Sequence, residues 1–271
     1  MQDPHLSEQR LQRAGCSKDN LTRTPKRGFP MNSKALTTTL IVMIAMAALI
    51  AGCSDNATSP QTTNDVQGNI LSTEELKAAL SKIPVGNPSE EEIADLIFMR
   101  EEEKLAHDVY TVLFDQYGLQ IFTNIAASEQ KHTDAIMLLL DRFGLEDPVG
   151  DNGPGEFSNE DLQTLYNDLI DSGSQSITDA LLVGLAIEEI DILDLEEALA
   201  GTELPAILKV YGNLLSGSHN HLRAFVSVYE SQTGEIYVPR WLSQDAYDEI
   251  LSADSGQGRR GGRRGGRGSR G

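Results

Sequence analysis

Glu129 and His132 stand three residues apart in "IAASEQKHTDAI". The apolar residues Ile121, Ile125, Ile136, Leu139 and Phe143 recur at helical spacing and form one stripe, and Glu129 and His132 fall on it. Side chains at i and i+3 share one helix face, so this carboxylate and imidazole can reach a single metal ion. The pair alone is common by chance. Three further helical segments, however, also carry metal-capable side chains at mid-stripe: Glu103, Glu188 with Asp191, and His221. Burying one unpaired carboxylate costs several kcal/mol. Burying four in one core would exceed a net stability of roughly 5–15 kcal/mol unless something compensates. A divalent or trivalent cation neutralises the carboxylates and accepts the imidazole nitrogens together. Mixed carboxylate and imidazole ligands suit iron, manganese or zinc. The alternative is a metal-free network of salt bridges and carboxylate–imidazole pairs.

Four long helices must position these residues. The first is predicted from about Ser89, with Glu92 completing a capping box, to about Tyr117; its stripe is Leu96, Met99, Glu103, Ala106, Tyr110 and Leu113. Glu101 and Glu102 fall off this stripe and are predicted to be solvated. The second runs from about Gln120 to Phe143 and stops at Gly144. The third, from about Ser176 to Ala200, is apolar around much of its girth. One phase aligns Ile177, Leu181, Gly184, Glu188, Asp191 and Leu195; a neighbouring phase would use Glu189 instead. Glu188 is favoured because it pairs with Asp191 one turn on, which leaves Glu189, Asp194, Glu196 and Glu197 as a solvated face. The fourth, from about Leu204 to Gln232, aligns Leu204, Ile207, Tyr211, Leu214, Ser218, His221, Phe225 and Val228, with His219 off that face.

Links of about two and about three residues make hairpins of the first pair and of the second pair. Between the pairs lie Leu145 to Gln175, with the turn-rich "DPVGDNGPGEF" and a short helix near Ser158 to Asp171. The fold class is therefore all-α, and two hairpins joined by a long crossover is the connectivity of a ferritin-like antiparallel four-helix bundle. Another short helix precedes the first long one in "LSTEELKAALSKIP", opened by Ser72 and Glu75. No strand signal is convincing. The segment Ile236 to Ile250 is predicted to pack outside the bundle as a strap held by Tyr237, Pro239 and Trp241.

The helical domain is expected to span 71–252 of the 271 residues. Residues 1–30 are polar, basic and patternless, and Met31 reads as the true start. In "MNSKALTTTLIVMIAMAALIAGC", Lys34 precedes the apolar run Leu40 to Ile50, and Ile50-Ala51-Gly52-Cys53 resembles a bacterial lipobox. Residues 31–53 then form a lipoprotein signal peptide, Cys53 takes the lipid, and the mature chain lies outside the cytoplasmic membrane. The alternative, a transmembrane anchor, requires a longer apolar run, of roughly 20 residues. Ser54 after Cys53, where Asp would favour inner-membrane retention in enterobacteria, points to the outer membrane. Residues 54–70 read as a flexible tether. Cys16 is the only other cysteine and lies upstream, so the mature chain has no disulfide and no thiolate ligand.

Residues 54–258 hold 9 Lys and Arg against 38 Asp and Glu, a balance of −29 that opposes binding to nucleic acid or anionic surfaces. The stretch from 253 onward ends in "GRRGGRRGGRGSRG", and that closing segment holds six arginines and no acid. Such Gly/Arg sequence cannot bury a core and is expected to be disordered. Its candidate partners are an anionic envelope polymer or the acidic body itself, with a solvated tail as the alternative. No sequence-specific nucleic-acid binding is expected, and the oligomeric state is not legible.

The motifs "REEEKLAHDVY", "FTNIAASEQKHTDAI", "AIEEIDILDL", "GSHNHLRAFV" and "IYVPRWLSQDAYDEIL" resemble the domain-of-unknown-function family 2202, of the ferritin-like superfamily, across about Ser89 to Leu251. That superfamily includes rubrerythrin-like and ferritin-like di-iron proteins. Carried over motif by motif, the resemblance implies Glu103, Glu129 with His132, Glu188 with Asp191, and His221 as ligands of iron or manganese, one or two ions. The superfamily's Glu three residues before the last His is here Ser218. Glu129 is then the one familiar bridge left, and the site holds one ion, holds two more weakly, or has lost its metal and kept the fold. With a metal, the resemblance implies a redox-active site, beside which Tyr110 could donate a hydrogen bond or an electron. Without one, it implies a non-catalytic scaffold or binding module.

Overall fold

The computed structural model describes residues 71–253. The expectations for the upstream segment, the signal peptide with Cys53, the tether and the Arg-rich tail lie outside those residues. Seven helices follow in chain order among them: α1 Thr73–Leu80, α2 Glu90–Tyr117, α3 Gln120–Phe143, α4 Glu160–Gly173, α5 Ile177–Gly201, α6 Pro205–Thr233 and α7 Gln244–Ser252. The described regular structure is thus all-helical, and no described helix is long and apolar enough to cross a membrane.

Local sequence sets the helix ends. Ser72 with Glu75, and Ser89 with Glu92, close capping boxes at the starts of α1 and α2. Asn159 and Ser176 cap α4 and α5, and Pro205 occupies the first turn of α6. Gly118 and Gly144 terminate α2 and α3 in the left-handed conformation, with φ of 66° and 67°.

The long helices pair in chain order, α2 with α3 and α5 with α6, and the pairs meet through α3–α6 and α2–α5 contacts. Their apolar residues divide into two clusters. One holds Tyr110, Phe122, Leu181 and Phe225; the other holds Met99, Ile136, Leu195 and Leu214. Along α2 and α6 the chain passes from the second cluster to the first, and along α3 and α5 it passes the opposite way. Each hairpin is therefore antiparallel. Between the clusters lies a buried polar layer: Glu103, Glu129, His132, Glu188, Asp191, Ser218 and His221.

The crossover packs α4 against both α2 and α5. This overturns the solvated reading of Glu101 and Glu102, which are 2% and 9% exposed. Glu101 accepts the backbone N–H groups of Ser158 and Asn159, at 2.5 and 3.1 Å, at the start of α4. Its neighbours serve the same loop. Arg100 forks onto Asp147 at 3.1 and 2.9 Å, and Lys104 donates to Asp108 at 2.6 Å and to the carbonyls of Gly153 and Glu156. A loop laid on a helix carries backbone polar groups that need partners, and the charged run on α2 supplies them.

The predicted solvated face of α5 also needs correction at Glu189, which is fully buried. Its carboxylate accepts the Tyr237 hydroxyl at 2.6 Å and the N–H groups of Arg240, Trp241 and Leu242 at 3.0, 2.7 and 2.9 Å. The strap after α6 crosses α5 here, with Tyr237, Leu242, Tyr247 and Ile250 buried and Trp241 packed against the core. Asp194 is half-buried, whereas Glu196 and Glu197 are exposed as expected.

Candidate metal centre

Each long helix contributes to the polar layer. The stripe of α3 turns Glu129 and His132 inward, with exposures of 2% and 0%. Glu129 lies between the two imidazoles: one oxygen is 2.7 Å from His132 Nδ1, and the other is 2.9 Å from His221 Nδ1 on α6. Glu103 of α2 completes the first side, 3.2 Å from His132 Nδ1. Glu188 of α5 completes the second, 3.4 Å from His221 Nδ1. The imidazole rings stack with centroids 5.4 Å apart. Two sets of three ligand atoms therefore converge, Glu103–Glu129–His132 and Glu129–Glu188–His221, each with all atoms within 4.8 Å of one another. They share Glu129. The phase ambiguity on α5 resolves in favour of Glu188 as the inward residue; Glu189 faces the strap.

Hydrogen bonding leaves this layer incomplete. Glu103 Oε1, His132 Nε2 and both His221 nitrogens are buried without a hydrogen-bond partner; the 2.9 Å approach of His221 to Glu129 is close but not aligned as a hydrogen bond. Buried polar atoms are ordinarily paired, and four donor or acceptor atoms in this one layer are not. Asp191 is buried nearby with an orphaned Oδ1 and does not join either converging set. Ser218 lies beside it, but its hydroxyl donates to the Leu214 carbonyl at 3.0 Å. Tyr110 donates to Glu188 Oε1 at 2.6 Å. His107 pairs with Asp108 outside the layer, and half-buried His219 stands apart.

The carboxyls differ sharply in proton affinity. Burial pushes Glu103 up to about 7, against the pull of His132. Burial also acts on Glu129, but His221 and His132 outweigh it and hold the carboxylate well below its ordinary value. Burial raises Glu188, and raises Asp191 strongly with help from Glu103, Glu188 and Glu129. Burial alone would lower His221; Glu129 and Glu188 bring it to about 10. Without a metal the centre is therefore a proton-rich cluster built around one firmly ionised carboxylate.

A cavity borders the centre, lined by Glu102, Glu103, Glu129, Glu188 and Asp191 and by apolar residues of α2, α4 and α5, including Leu165. It offers about 20 Å³ to the centre of a water-sized molecule. That is room for a water or a small ion, far below the few hundred Å³ of an organic ligand's pocket.

A family profile described as "Uncharacterized protein domain (DUF2202)" matches residues 92–254. The chain belongs to this family. It is similar to the uncharacterized protein MJ0754 of Methanocaldococcus jannaschii, with 46% identity over 179 residues, covering 66% of this chain and 96% of that protein. The crystal structure of the hypothetical protein MJ0754 superposes with a TM-score of 0.61 at 47% identity, covering 63% of this chain and 97% of the other. The family match spans the whole polar layer and the whole strap.

Sequence spacing did not find Glu102, which lines the cavity, nor Asp194 beside it. The signal that could have found Glu102 is the length of the crossover, which has to lie on some face of α2 and widens what that helix buries.

Proposed function

We propose that the DUF2202 domain of this chain is a ferritin-like four-helix bundle that binds iron or manganese in its polar layer, as one ion or as two ions sharing Glu129. The carrying observation is the placement of Glu129 between His132 and His221, one oxygen toward each, with the Nε2 atoms of both imidazoles orphaned. Glu103 and His132 would hold one position and Glu188 and His221 the other, with Asp191 as an outer group. A mixed carboxylate–imidazole donor set fits iron and manganese. When bound, the ion would supply one-electron redox chemistry or Lewis acidity. The protein's part is to exclude bulk water, fix Glu188 through Tyr110, and admit only water-sized molecules. The mature chain has no cysteine besides Cys53 and so no thiolate iron site, and electrons for turnover would come from elsewhere.

The same proposal places the protein in the cell envelope, held by a lipid on Cys53 outside the cytoplasmic membrane or in the outer membrane, with the Arg-rich tail meeting anionic envelope polymers. Its support is the Ile50-Ala51-Gly52-Cys53 sequence and the charge contrast between body and tail. Mass spectrometry of membrane-extracted protein should find a diacylglycerol-modified N-terminus at Cys53; an intact peptide through residues 40–60 of the mature protein overturns the lipid anchor.

Ser218 favours a second reading, a metal-free bundle used as a scaffold, because a hydroxyl that donates to the Leu214 carbonyl stands where a carboxylate ligand would otherwise be. Elemental analysis of protein purified without added metal separates the two. One to two equivalents of iron or manganese, lost in Glu129→Ala, supports the metal centre. Metal-free wild type that also fails to take up either ion, or a Glu129→Ala protein that binds as much as wild type, overturns it.

A further inference from the structure

Glu102 and Asp191 are nine-tenths buried, and each keeps a carboxylate oxygen without a hydrogen-bond partner; the buried Oδ2 of half-buried Asp194 is likewise unpartnered. Each is placed where a carboxylate is costly. The charged groups acting most strongly on Glu102 are Asp194, Asp191 and Glu103, and those around Asp194 include Glu197 and Asp95. The carboxyls thus form a file along the α2–α5 seam. Glu197 is exposed, Asp95 and Asp194 are half-buried, Glu102 and Asp191 are buried, and Glu103 and Glu188 belong to the centre. The inner half of the file lines the cavity that reaches Glu129. Glu102, Asp191 and Asp194 do not converge as the ligands of the centre do. On α5, Glu188, Asp191, Asp194 and Glu197 follow one another at steps of three residues and so lie along one side of that helix, in a row and not a cluster.

We infer that this seam is an access route for hard divalent cations, in which Asp194 and Glu102 take the ion from solvent and Asp191 passes it through the cavity to Glu103 and Glu129. All-oxygen carboxylate sites favour ions such as Mn²⁺ and bind without thiolate or imidazole. A line of like charges in a low-dielectric groove concentrates such ions and speeds their capture. The apolar cavity walls, Leu105, Ala106, Leu165 and Leu169, leave the carboxylates as the polar stepping points. Glu102 and Asp194 face each other, and among the described residues no basic side chain forms a salt bridge with Glu102, Asp191 or Asp194.

The inference rests on the proposed centre, and its test separates the two. Full-length, metal-stripped protein is mixed rapidly with Mn²⁺, and loss of the free-ion resonance is followed in time and at equilibrium. In the double variant Glu102→Gln/Asp194→Asn, uptake should slow at least tenfold, within the roughly 10–10³ range of electrostatic capture. Release to a chelator should slow alike, while final occupancy stays at the wild-type value. Leu165→Phe, which narrows the cavity without touching charge, should slow both rates too, and it keeps the test valid if the double variant folds poorly. Unchanged rates in both variants overturn the route and leave the centre standing. A double variant with reduced occupancy, or with fast release, overturns it as well, because the carboxylates are then ligands or distant charges. Wild type that takes up no Mn²⁺ overturns the centre and the route together.

Discussion

Glu129 is the residue on which both halves of the centre depend. Its oxygens face His132 and His221 at 2.7 and 2.9 Å. Glu129→Ala removes the carboxylate common to both sets and leaves two raised imidazoles without their counter-charge; on the proposed reading it abolishes metal retention, and it should destabilise the metal-free fold by about 3–5 kcal/mol. Metal analysis and urea unfolding on the same preparation check both parts. Tyr110 acts one step out. Its hydroxyl holds Glu188 Oε1 at 2.6 Å in a fully buried setting. Tyr110→Phe should weaken metal affinity by about 10–100-fold, the usual effect of losing a partner behind a ligand. Competition with a chelator measures this, and an affinity within twofold of wild type would mean that Glu188 needs no such support.

At the scale of elements, helices and strap are joined through single polar anchors. Glu189 gathers the Tyr237 hydroxyl and three successive backbone N–H groups. Glu189→Ala strands those donors and should cost more than about 3 kcal/mol, whereas Glu197→Ala on the exposed face of the same helix should stay within about 0.5 kcal/mol. Protease cleavage between residues 234 and 243 should appear in the first variant and not in the second. Gly184 marks a different constraint. A Cβ there would overlap the Phe225 ring, which itself packs on Tyr110 at 5.3 Å. Gly184→Ala should therefore destabilise by about 1–3 kcal/mol through overpacking. It should also shift Tyr110 fluorescence, since the displaced ring moves against it.

For the whole molecule, the proton balance of the layer sets a pH dependence. Glu103 rises from 4.5 to about 7 and Asp194 from 3.8 to about 6. Between those values the folded chain binds protons that the unfolded chain has released, so metal-free stability falls as pH rises through this window. His221, raised from 6.5 to about 10, contributes stability that is full below 6.5 and lost as pH rises toward 10. The three groups act in one direction. Glu129, held below 4.5, contributes the opposite way, losing stability only as pH falls further. A bound cation displaces these protons, so the gap in Tm between metal-loaded and metal-stripped protein should widen from about pH 5 to about pH 8. A gap that is flat or narrows over that range would mean that the cation does not compete for the layer.

The sequence by itself determined the four long helices and their caps, because helix periodicity and N- and C-terminal signals are local. It also determined that Glu103, Glu129, His132 and His221 lie on inward stripes, since a residue's face follows from its spacing on one helix. Which neighbours those faces meet is not local. Glu188 and Glu189 were both compatible with an α5 that is apolar on most sides; only the strap, arriving from residues 237–242, assigned Glu189 to itself and left Glu188 for the centre. Glu101 and Glu102 read as solvated because a single stripe is all that one hairpin partner covers. The crossover and α4 covered a second side of α2, where Arg100, Glu101 and Lys104 satisfy the loop's polar groups and Glu102 faces the cavity. Burial on that side depends on a segment some fifty residues away in the chain, and no spacing rule within α2 carries that information.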